Sequence, residues 1–177
     1  LGWGVLLALW IAPRQTPPPL DVLLFALLSI GIKRLGFQVS KDVTHSLVGV
    51  IDLAALFTFG PVAAMLVTAL SGGFCQIMQV ARADRRARWP WLEALLYFLW
   101  GGGLNALMML VTGQAYSALG GPVPLETVTW GVIPGVIGAS LTWFVLDHVG
   151  WTGAEWILRG RGSALTFLRR ILPYSLI

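Results

Sequence analysis

Charge is scarce in this chain. Lysine, arginine, aspartate and glutamate together make up 11% of its 177 residues, against roughly 25% in soluble domains. Cysteine is scarcer still: Cys75 stands alone, so no intrachain disulfide can form, and a small buried side chain is the simplest role for it. Walker loops, HExxH pairs and nucleophile elbows are absent, so nothing in the residue pattern points to catalysis in this segment. No motif for nucleic acid accompanies the net charge of +4, and no residue set calls for a cofactor. What fills the chain is apolar. Hydrophobic residues account for 56%, and the mean hydropathy is +0.77. The composition is that of an integral membrane protein whose first partner is the lipid bilayer.

The basic residues are concentrated between apolar runs. Arg82, Arg85, Arg86 and Arg88 fall between PVAAMLVTALSGGFCQIMQVA (61–81) and WLEALLYFLWGGGLNALMMLVT (91–112). Each run is about 20 residues, enough to cross a hydrocarbon core of about 30 Å as a helix. Helices are required because lipid offers no partner to backbone amides, and the runs lack the alternation of a membrane barrel. Hydropathy and breakers predict an all-α polytopic bundle forming one domain. Its spans fall at about 1–12, 20–35, 45–59, 61–81, 90–112 and 127–149, with a further one opening at Ile171. Residues 35–44 read as a polar loop, 113–126 as a connector, and 151–159 as a short interfacial helix anchored by Trp151 and Trp156. Both ends read as cut, so a fragment of a longer chain is expected.

On this map eleven of the twelve basic residues share one side: Lys33, Arg34 and Lys41; the four arginines at 82–88; and Arg159, Arg161, Arg169 and Arg170. Arg14 alone lies opposite. By the positive-inside rule the clustered side is cytoplasmic. Gly101-Gly102-Gly103, Ser71-Gly72-Gly73 and the Gly131, Gly135, Gly138 set mark close helix contacts. Pro134, read as lying within a span, is expected to kink it.

Asp52 is the sharpest candidate for a site. Placed near the middle of a span, a carboxylate costs about 3 kcal/mol or more to insert, and it usually faces a bundle interior, a partner or a ligand. A hydrogen-bonded structural aspartate is the plainer alternative. Gln76 and Gln79, three apart and so on one helix face, and Asn105 are the other polar groups of the spans. Asp52, Gln76 and Asn105 are expected to line one polar pocket for a small hydrophobic or weakly polar ligand, with Gln79 nearby. Interhelical glue is the simpler role for Gln and Asn. Trp100, one of nine tryptophans, reads as facing a cavity or a partner. His45 and His148 lie at span ends, without the pairing or attachment motif that a haem site would show. No metal site is expected.

The stretch Ser46–Val50 followed by Leu53–Ala64, with its Phe59-Gly60-Pro61 turn, resembles the multi-span amino-terminal membrane region of bacterial HD-GYP and GGDEF signalling proteins. Arg85-Arg86, Asn105 and the late Arg169–Pro173 stretch stand at similar places. The resemblance covers about residues 40–177 and implies a helical sensor region joined to a cyclic-di-GMP enzyme. The chain also looks somewhat like the substrate-binding subunits of vitamin uptake transporters. Asp52 and Trp100–Gly103 depart from the aliphatic residues expected there. The expected functions are therefore a sensory input domain, a small-molecule carrier or binding subunit, or an accessory subunit of a larger membrane complex or homo-oligomer.

Overall fold

The computed structural model describes residues 1–11, 19–34, 37–40, 43–45, 48–83 and 90–160, together with 162, 165 and 166. Six helices and one small hairpin form in the order α1 (Gly2–Ile11), α2 (Pro19–Arg34), β1 (Phe37–Ser40), β2 (Val43–His45), α3 (Val48–Phe59), α4 (Pro61–Ala83), α5 (Pro90–Ala118) and α6 (Ile133–Arg159).

Three of these helices are long and apolar enough to cross a membrane, over Pro61–Met78, Trp91–Ala118 and Ile133–Ala154. Six spans are not supported. The segments expected to be the first three spans form helices of 10, 16 and 12 residues. At about 1.5 Å per residue, even the longest of the three reaches only about 24 Å. The expected bounds nearly coincide with these helices; the error lies in taking an apolar run of that length for a span of a core of about 30 Å. The start of a seventh span at Ile171 lies outside the described residues.

Other boundaries differ too. Phe37–Ser40, expected as loop, and Val43–His45, expected as the end of that loop and the start of a span, pair as antiparallel strands with Phe37 opposite His45 and an irregularity between Gln38 and Ser40. α5 runs on to Ala118, through the start of the expected connector. The sixth span and the interfacial helix are one continuous helix, α6. Pro134 falls in the first turn of α6, where its missing N–H breaks no helical bond, so it begins the helix and does not kink it.

Local chemistry explains the sharpest reversal. Gly60 adopts φ +89°, and its N–H donates to the Leu56 carbonyl at 2.9 Å. Pro61 then opens α4 with its φ already set for a helix. α3 and α4 are thereby tied as a hairpin. The loop after α5 closes over this corner, with the Leu125 N–H donating to the Phe57 carbonyl at 2.8 Å and the Tyr116 hydroxyl to the Pro122 carbonyl at 2.8 Å.

α4 and α5 run antiparallel and form the centre. Their contact is built on missing side chains: a Cβ on Gly102 would stand 2.7 Å from the Ala69 carbonyl oxygen and 2.5 Å from Cζ2 of Trp3. α1 uses the same glycine step. Gly2 lies against the Gly103 backbone, Trp3 stacks on Phe98 at 5.4 Å, and its indole N–H donates to the Leu99 carbonyl at 2.9 Å. Lipid tails are as apolar as leucine, so such close backbone approach supplies dispersion that burial alone does not.

The distribution of polarity is the reverse of a soluble bundle's. Ser29, Asp52, Thr68, Ser71, Asn105 and Thr112 are buried. Leu20, Leu23, Leu24, Leu27 and Leu28 on α2 face outward, as do Leu92, Leu95, Leu96 and Leu99 on α5. Leucines at i, i+3, i+4, i+7 form a continuous apolar stripe, here turned away from the core.

Candidate functional site

Ser29 and Lys33 are four apart on α2, so both project from one face. α3 and α4 present Asp52 and Ser71 to that face. Asp52 is eight residues before the Gly60 corner and Ser71 eleven after it, so the hairpin brings them to a similar level. The four side chains form a single junction. The Ser29 hydroxyl donates to Asp52 Oδ1 at 3.0 Å. The Lys33 ammonium donates to Ser71 Oγ at 2.8 Å and stands 3.7 Å from Asp52 Oδ2. Ser71 in turn reaches the Thr68 carbonyl at 3.3 Å.

The satisfaction of this junction is uneven. The Asp52 side chain is 0% exposed and that of Lys33 13%. At 3.7 Å the ammonium attracts Oδ2 without completing a hydrogen bond to it, and Oδ2 has no other hydrogen-bond partner among the described residues. A buried carboxylate left half-bonded is a costly arrangement. Asp147 on α6 lies within electrostatic reach of both Lys33 and Asp52, and Cys75 on α4, one turn beyond Ser71, does so as well. Asp147 is half-buried and accepts from the Trp151 indole at 3.1 Å.

The remaining sequence candidates sit elsewhere. Asn105 is buried, and its amide donates to the Gly101 carbonyl of its own helix at 2.8 Å while packing against Gly72. The Gln76 side chain rests on Gly101. Gln76 and Asn105 thus share the α4–α5 seam, whereas Asp52 serves the α2–α3–α4 junction. Trp100 faces outward on α5. The Gln79 side chain and Arg85, Arg86 and Arg88 lie outside the described residues, and Arg82 is described only as part of the last turn of α4. His148 Nδ1 is 2.7 Å from the Phe144 carbonyl oxygen. Among the described residues no three His, Cys, Asp or Glu side chains gather where a metal ion could be held.

Sequence reasoning missed Ser29, Lys33, Ser71 and Asp147. Lys33 was counted only as a loop charge. The signal was available: a carboxylate inside an apolar helix needs a cation, and Lys33 follows Ser29 by one helical turn on the preceding helix. In comparisons with known proteins, no family model, no curated protein and no solved structure matches this chain.

Proposed function

We propose that this chain is a membrane-embedded input module of a bacterial inner membrane, with its basic loops cytoplasmic. A ligand or a change in the bilayer shifts helix packing, and the shift passes to a cytoplasmic output domain of the cyclic-di-GMP class. The observation that carries this reading is the buried Lys33–Asp52 pair, which ties α2 to the α3–α4 hairpin. In lipid, apolar faces gain little by meeting one another, so polar links weigh heavily in which helices stay together. A link held at 3.7 Å is a point where a modest stimulus separates elements. The outward leucines of α2 and α5 support the bilayer as solvent.

The test is made in the full gene product. Asp52→Ala should change the activity of the output domain several-fold, and Lys33→Ala should change it in the same direction. An output indifferent to both substitutions removes the input reading.

A carrier or substrate-binding subunit is the second reading. The open acceptor at Asp52 Oδ2 favours it, since a cationic or hydroxyl-bearing solute would complete that oxygen. Saturable uptake into vesicles, lost in Asp52→Ala, would select it over the first.

A further inference from the structure

The junction holds one ammonium and one carboxylate, and a second carboxylate, Asp147 on α6, lies within electrostatic range of both. Asp52 is fully buried, with Oδ1 held by Ser29 and Oδ2 without a donor. Lys33 is anchored on Ser71 at 2.8 Å and reaches Oδ2 only at 3.7 Å. Its four-carbon stem is flexible, and its side chain is 13% exposed. Asp147, half-buried on α6, is the second anion within electrostatic range of Lys33. The charged and titratable groups facing Asp52 among the described residues are therefore Lys33 from α2, Cys75 from α4 and Asp147 from α6, the last with His148 beside it.

We infer that Asp52 is a proton-binding site, and that proton binding there hands Lys33 from Asp52 to Asp147. The step balances simply. Oδ2 takes a proton from a hydronium ion, which is left as water, and the carboxylate becomes a neutral carboxyl; Lys33 keeps its own proton and positive charge. Once neutral, Asp52 needs no cation. The ammonium, which cannot stay buried without a counter-charge, takes the remaining carboxylate. The physical driver is the unbonded oxygen. Either a proton or a closer ammonium must complete it, and the Ser71 anchor keeps the ammonium away. The exchange releases α2 from α3 and couples it to α6. This inference deepens the proposed junction and rests on the membrane reading, but not on what the output domain does.

The test uses the full chain in lipid vesicles. Dicyclohexylcarbodiimide, an apolar reagent, adds to protonated carboxyl groups in membrane interiors. Labelling of the Asp52 peptide should increase as pH falls and vanish in Asp52→Asn. A second, zero-length carbodiimide coupling reads the partner of Lys33. In Asp52→Asn, which mimics the neutral form, the Lys33–Asp147 cross-link should be several-fold more abundant than in the wild type at alkaline pH. Asp147→Asn should abolish that cross-link and leave the pH-dependent Asp52 labelling in place, which separates the exchange from misfolding. Asp52 unlabelled at every pH, labelling that ignores pH, or a Lys33–Asp147 link no stronger in Asp52→Asn overturns the inference. Labelling and exchange as described, with an output indifferent to Asp52, would instead retain the proton site and reject the input function.

Discussion

At the scale of single residues, Lys33 and Asp52 stabilise the bundle only as a pair. Removing one partner leaves the other charged in a poor solvent, a loss of about 3–5 kcal/mol for a buried pair. Replacing both with apolar side chains of similar volume removes the charges and their solvation cost together. Lys33→Met and Asp52→Leu should therefore each lower thermal stability in detergent strongly, and the double variant should recover most of the loss. Additive losses in that double-mutant cycle would show that the two side chains act independently. Asp52 was legible as a residue that had to be explained, because its cost in an apolar helix is local. Its partners were not, because a hydrogen bond between α2 and α3 depends on how those helices face each other, and periodicity within one helix carries no record of its neighbour's rotation. Gln76 and Asn105 show the same limit. Both are polar residues in apolar helices, yet they rest against glycines of the α4–α5 seam, a level of packing that residue type does not encode.

At the scale of elements, glycine decides how close helices approach. A side chain on Gly102 meets both the Ala69 carbonyl and the Trp3 ring, so α5 would have to withdraw from α4 and α1 at once. Gly102→Leu should lower the melting temperature sharply. Gly4→Leu, where nothing lies within 4 Å, should change it little. Circular dichroism melts of the two variants, run side by side, compare the loss of packing with the shared change in helix propensity. If both melt alike, the glycine step is not the contact that holds α1. The Gly101–Gly103 step was readable as a helix contact from its composition. The bounds of α1, α2 and α3 were readable too, since the expected runs 1–12, 20–35 and 45–59 nearly coincide with the helices. What fails is the step from apolar run to span, because at about 1.5 Å per residue these helices fall short of a core of about 30 Å. Pro134 carries the same lesson: the same residue kinks a helix from within or opens one, according to where the first turn begins.

At the scale of the molecule, the hairpins carry the chain back and forth. The end of α2, the starts of α3 and α5 and the ends of α4 and α6 come to one end of the bundle, with the Gly60 corner and the 119–132 loop at the other. Trp130 is 90% exposed in that loop, as expected of a tryptophan that anchors a membrane protein at the headgroups. Single cysteines placed at Gly120 and at Arg85, in a Cys75→Ala background, should react with an impermeant maleimide from opposite faces of sealed vesicles. Reaction of both from one face would contradict the membrane orientation drawn from the arginines.

The amino-acid order alone was enough to specify that the chain is helical, apolar outside and reversed at Phe59-Gly60-Pro61. Those properties follow from transfer energies and backbone preferences that each residue carries with it. Which side chains meet Asp52 was settled by packing. An ion pair depends on the relative rotation of two helices, and that rotation is not a property of a single segment.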